Sequence, residues 1–187
     1  MNNLLSSNYN DNIRKCKKFI LNICMATPAI IFIYFGINYL FGNNKLSGYF
    51  LLVLIISFYS IGILKDFFKY IMTDKTYLFF GSGLRPDGAI NTGIFNDDAV
   101  ANTYGMPSGH SLLIVVVATY WSLYFNKKQE YYKSLLLIIM ALIVMKSRIL
   151  LGCHTKQQVI IGGIFGFIIG ILANYCTPLK VRSKMET

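Results

Sequence analysis

Residues 19–41 contain no charged side chain. As a helix rising 1.5 Å per residue, such a run crosses the ~30 Å hydrocarbon core of a bilayer. Apolar segments recur at 47–72, 110–125, 131–151 and 157–179, separated by short polar turns such as Asn126-Lys127-Lys128-Gln129-Glu130. A hydrophobic content of 55% and a mean hydropathy of +0.50 suit a chain whose solvent is largely lipid. The expected fold is all-α: a polytopic membrane helix bundle of about five transmembrane helices, with a long loop at 73–107 between the second and third. Residues 1–18 read as a polar, basic tail, 19–179 as one membrane-embedded domain, and 180–187 as a short basic tail. Pro28 should kink or interrupt the first span. Gly162, Gly166 and Gly170 recur every fourth residue and give the fifth span a smooth face for helix packing.

A net charge of +10 raises the question of nucleic acid. The basic residues are scattered over short loops between apolar runs, which excludes a nucleic-acid surface and favours anionic headgroups or a phosphorylated substrate. Cys16, Cys24, Cys153 and Cys176 form neither a CxxC pair nor a disulfide framework, and the three in or beside apolar runs read as small buried hydrophobes. Cys153, beside His154, reads the same way rather than as a nucleophile. No cleavable signal peptide is expected. The Asp97-Asp98 pair has no histidine or third carboxylate beside it, so a solvated loop is expected there and no metal or other cofactor.

Three polar clusters interrupt this apolar chain. The first is Arg85-Pro86, with Lys65 and Lys69 upstream and Lys75 between. The second is Gly105-Met106-Pro107-Ser108-Gly109-His110-Ser111. The third is Ser147-Arg148 followed, six positions after the arginine, by His154. Ionisable groups beside membrane spans are costly and therefore mark function. With five spans, the loops after the second and fourth fall on the same side of the membrane, which brings all three clusters together. Their chemistry suits a phosphate. Arg85 and Arg148 present guanidinium forks and a lysine adds a point charge, while Ser108, Gly109 and His110 open a helix whose first N–H groups attract anions. Two histidines can then divide the work, one attacking phosphorus and the other protonating the leaving oxygen.

The pattern Arg-Pro, Pro-Ser-Gly-His and Ser-Arg-x5-His, spread over residues 65–163, resembles the type 2 phosphatidic acid phosphatase superfamily of membrane lipid phosphatases. The resemblance implies a metal-independent enzyme with His154 as nucleophile and His110 as acid for the leaving group. By the same resemblance Arg85, Ser108, Gly109 and Arg148 hold the phosphate. Two positions depart from the family's pattern. Its lysine stands seven residues before the first arginine, where this chain has Leu78. Lys65 is taken instead, with Lys69 and Lys75 left open. Its aspartate four residues after the nucleophile is Gln158 here, which is assigned with the histidines as a catalytic-site residue. The stretch His154-Thr155-Lys156-Gln157-Gln158-Val159 resembles the dolichyl diphosphatase branch, implying a polyprenyl diphosphate substrate in the endoplasmic reticulum membrane, with the site facing away from the cytosol. A phosphotransferase of the same superfamily and a phosphatidate-type monophosphate phosphatase are the alternatives. The amide oxygen of Gln158 is expected to accept the His154 ring N–H, and an aspartate at 158 to be tolerated.

Overall fold

A computed structural model describes residues 2–42, 44–72, 75–89 and 103–178, with the backbone alone for 2–18. The Asp97-Asp98 pair and the basic tail from 180 lie outside the described residues. Five helices follow in chain order: α1 (Asn2–Leu40), α2 (Lys45–Met72), α3 (Gly109–Lys127), α4 (Tyr131–Leu150) and α5 (Lys156–Tyr175). Phe19–Leu40, α2 and α5 are each long and apolar enough to cross a membrane. At 1.5 Å per residue α3 and α4 are about 28 and 30 Å long, a length that matches the same hydrocarbon core. The fold is an all-α membrane helix bundle.

Several boundaries differ from the sequence reading. Helix α1 runs back to Asn2, so the basic segment is helical. It also passes through Pro28 without a break. Helix α5 stops at Tyr175, where the N–H of Cys176 bonds the Leu172 carbonyl, short of the expected 179. The loop after α2 contains a small antiparallel hairpin, β1 (Thr76–Tyr77) and β2 (Gly81–Ser82), that no alternating pattern announces. Two residues per strand are too few for a period of two to register.

Helix α3 is the axis of the bundle. Its side chains are buried on several faces, from Ser111 and Leu112 to Tyr120 and Ser122. It packs most extensively on α5 and α4. Phe50 and Leu54 of α2 meet Leu112, Val116 and Tyr120 in one apolar cluster, and Cys24 of α1 meets Ile114, Ala141 and Val144 in another. Outward faces carry Ile33, Leu52, Ile63, Ile139 and Phe167, all exposed as side chains facing lipid are.

The glycine face of α5 sets the closest approach. A Cβ at Gly162 would stand 2.5 Å from the Ser108 carbonyl, and one at Gly166 would overlap the Leu112 carbonyl. Without side chains there, the start of α5 lies directly against the start of α3, which carry the third and second polar clusters respectively. Gly166→Val should therefore lower the thermal unfolding midpoint in detergent, by the ~1–3 kcal/mol typical of overpacking. Gly62→Ala, where a Cβ meets nothing within 4 Å, is the control and should not. Equal midpoints for both variants would contradict this packing.

Candidate active site

The spacing Arg-x5-His is the geometry of one helix end. Helix α4 finishes with Gly152 in the left-handed region, φ +67°. The N–H of Gly152 bonds the Ile149 carbonyl at 3.0 Å, and that of Cys153 bonds the Arg148 carbonyl at 3.1 Å. This is a Schellman closure, which favours glycine because it requires positive φ. The N–H of His154 reaches the same Arg148 carbonyl at 3.3 Å. Thr155 then caps α5, its hydroxyl accepting from the Gln158 N–H at 3.3 Å while the Gln158 side chain accepts from the Thr155 N–H at 3.3 Å. The imidazole is thus held between two capped helix ends.

Gln158 is fully buried, and each of its polar groups has a partner. Its Nε2 donates to the Ser82 carbonyl at 3.0 Å and the Leu84 carbonyl at 2.6 Å. Its Oε1 takes the Thr155 N–H and stands 3.1 Å from Nδ1 of His154. Its main-chain carbonyl accepts the Ser108 N–H at 3.0 Å. Two carbonyls that only accept and one N–H that only donates fix which end of the amide is oxygen. Nδ1 of His154 is therefore the donor, and Nε2 keeps its lone pair.

Arg85 stands at that lone pair, with Nη1 3.4 Å from Nε2 of His154 and 3.1 Å from the Cys153 carbonyl. The rest of its fork is held by Thr103, through the carbonyl to Nε at 3.0 Å and the hydroxyl to Nη2 at 2.9 Å. Lys65 reaches the same hydroxyl at 3.5 Å. Lys69 and Lys75 are exposed, so of the three candidate lysines Lys65 joins the cluster. Along α2, Lys65 lies about 30 Å from Lys45, at the depth where the hydrocarbon core ends. Arg148 is fully buried in the last turn of α4.

Ser108, also fully buried, accepts a hydrogen bond from Ser111 at 3.0 Å. The first N–H groups of α3, at Gly109 and His110, open toward this end of the bundle without intrahelical acceptors. His110 lies within electrostatic reach of Arg148, Arg85 and Lys65, and its Nε2 is 3.1 Å from the Met25 carbonyl of α1. The Cys153 thiol is buried and directed at the Leu151 carbonyl. All three sequence clusters therefore meet at one end of the bundle.

The electrostatics follow from this assembly. Burial, then Arg85, Arg148 and Lys65, hold the His154 pKa down at about 3, while the Gln158 contact works the other way. The ring is neutral at physiological pH, the state in which Nε2 is nucleophilic. Burial also lowers the pKa of Arg85 from its usual value, and the nearby Cys153 opposes that shift. Among the described residues no group of three or more histidine, cysteine or carboxylate side chains is placed to hold a metal ion. Arg85, Arg148 and Lys65 bring positive charge to His154.

Three participants escaped the sequence reading, and a fourth, Gly105, was read only as part of the second cluster. Thr103 is one threonine in a polar loop, and the Ser82 and Leu84 carbonyls carry no side-chain signal. Gly105 leaves room for the amide, since a Cβ there would stand 2.7 Å from Gln158 Nε2. The Thr-x-x-Gln capping signature at Thr155 and Gln158 was, in contrast, present to be read.

Residues 46–182 match the PAP2 superfamily. No curated protein and no solved structure matches the chain.

The geometry reverses the sequence expectation for Gln158→Asp. An aspartate has no N–H for the Ser82 and Leu84 carbonyls and is one methylene shorter, so both carbonyls lose their donor. Stranding each costs about 1–3 kcal/mol. Gln158→Asp and Gln158→Leu should both lower turnover, on the order of 10- to 100-fold. Full activity in Gln158→Asp would contradict the amide assignment. In His110→Ala, His154 is the sole histidine. Its ring NMR signals should report a neutral Nδ1–H tautomer down to about pH 5, whereas an ordinary midpoint near 6.5 would contradict its burial.

Proposed function

The chain belongs to the PAP2 superfamily, whose members are phosphatases, and we propose that it hydrolyses a polyprenyl diphosphate of the dolichyl type. The observation that carries this reading is the Nε2 lone pair of His154, freed by Gln158 at Nδ1 and facing Arg85 at 3.4 Å. A terminal phosphate bound by Arg85, Arg148 and Lys65 presents its phosphorus to that nitrogen. As the P–N bond forms, the P–O bond to the leaving group breaks, and His110 supplies a proton to the departing oxygen. Water then attacks the phosphohistidine, with His110 taking its proton, and inorganic phosphate leaves. The cations neutralise charge on the non-bridging oxygens, the task that metal ions perform in many phosphoryl-transfer sites.

Two further features support a lipid diphosphate. A crevice of about 540 Å³ between α1, α3 and α4 begins at Ile23, Thr27 and Ile114, one turn along α3 from His110. It extends to Phe125, about 16 Å along the helix, with nearly all its lining apolar. Such a space suits a prenyl chain anchored by its headgroup. A diphosphate also leaves more readily than an alkoxide, which fits a neutral amide, rather than a carboxylate, behind the nucleophile. We place the enzyme in the endoplasmic reticulum membrane of a eukaryotic or host cell, with the site facing away from the cytosol.

Phosphate release from purified protein tests the reading on farnesyl diphosphate, farnesyl phosphate and phosphatidate. The diphosphate should be preferred, and a preference for phosphatidate would replace it as substrate. Turnover should continue in excess chelator, and loss of activity that a divalent metal restores would contradict the cation site. His154→Ala should abolish release on every substrate. His110→Ala should lose more on the monophosphates than on the diphosphate, and equal losses would remove the acid role from His110.

A further inference from the structure

Helix α1 lies upstream of the region that matches the superfamily, yet it touches the histidine that the mechanism needs as an acid. The Met25 carbonyl stands 3.1 Å from Nε2 of His110. A carbonyl oxygen only accepts, so Nε2 carries the proton and Nδ1 is the other, exchangeable ring nitrogen. The surrounding contacts hold this register. Cys24 is buried against Ile114 and Val144, and Ile31 packs on the same cluster. Pro28 lies three residues beyond Met25 and has no N–H for the carbonyl of Cys24. The Met25 carbonyl lies in the same turn as that orphaned group, on the side where His110 of α3 meets α1.

We propose that the Met25 carbonyl is a positioning group for His110, fixing its proton on Nε2 and turning Nδ1 to the leaving oxygen, so that α1 completes the active site. This rests on the reading of His110 as the acid. In the first step the imidazolium gives its Nδ1 proton to the oxygen released as the P–O bond breaks. The ring that remains is neutral and still bonded through Nε2–H to Met25. In the second step Nδ1 takes a proton from the attacking water as the P–N bond to His154 breaks, which restores the imidazolium. Met25 holds the same ring face throughout. Whenever both rings are neutral the two histidines are consequently opposite tautomers, His154 with its proton on Nδ1 and His110 with its proton on Nε2.

A backbone change tests this without touching a side chain of the site. Lactic acid incorporated in place of Ala26 converts the Met25–Ala26 peptide into an ester, whose carbonyl is a weaker acceptor. Glycolic acid in place of Gly36 makes the same lesion in the same helix at a position where a Cβ would meet nothing within 4 Å. Nitrogen-15 spectra of the protein without substrate, labelled at its two histidines and recorded at a pH where both rings are neutral, should show opposite tautomers, assigned with His110→Ala and His154→Ala. The ester at 26 should mix the tautomers of His110 and leave His154 alone, and the ester at 36 should change neither. With farnesyl phosphate the ester at 26 should lower kcat by about tenfold at unchanged KM, with a smaller loss on farnesyl diphosphate. Unchanged His110 tautomers, or equal kinetic losses for the two esters, would overturn the proposal. Should the unmodified protein release no phosphate from either substrate, the hydrolase reading falls, and the spectra alone then decide whether Met25 sets the tautomer.

Discussion

The side-chain amide of Gln158 is the interaction on which the site depends. It joins its own helix end, through Thr155 and His154, to the distant end of the hairpin and the loop after it, through Ser82 and Leu84. Its main chain adds a third piece, the start of α3, through Ser108. A buried polar group with every valence met rigidifies its surroundings, whereas one left half-satisfied costs more than an apolar side chain. Here the amide also sets the chemistry, because the direction in which it points decides which nitrogen of His154 is free to attack. The loop, the helix cap and the reactive tautomer are consequences of one side chain.

The cations depend on a second constraint, the thickness of the membrane. Spans of about 30 Å bring the ends of α2, α3, α4 and α5 to one level, where charged groups can leave the hydrocarbon. Lys65 comes from α2, Arg148 from α4 and Arg85 from the hairpin side of the long loop, with Thr103 connecting two of them. Assembling three positive charges costs energy in the absence of an anion. The phosphate that would bind there reduces this repulsion, so affinity for the ligand and tolerance of the cluster have the same origin.

Much of this was legible in the sequence because it is written in hydropathy and in helix ends. Runs without charge marked the helices, and the parity of the loops put the three clusters on one side, where Arg85 meets Cys153 and Ser108 meets Gln158. The Gln158–His154 contact was expected from a spacing of four on a helix, but α5 begins only at Lys156, and the contact comes from its capping box instead. Backbone groups were not legible. The Met25, Ser82 and Leu84 carbonyls are the same atoms in any residue, and Gly105 matters for the volume it leaves empty. The hairpin was too short for periodicity, and the extension of α1 to Asn2 carries no apolar stripe. The new expectation for Gln158→Asp turns on these same unseen carbonyls, which the sequence argument for its tolerance did not weigh.

The central claim is that phosphate is transferred to His154. Polyprenyl diphosphate labelled with phosphorus-32 in its terminal phosphate, mixed with the enzyme and quenched in alkali during turnover, tests it directly. The account predicts a label stable to base and labile to acid on the peptide containing residue 154, absent from His154→Ala. Turnover without any such label, or a label on Cys153, would contradict it.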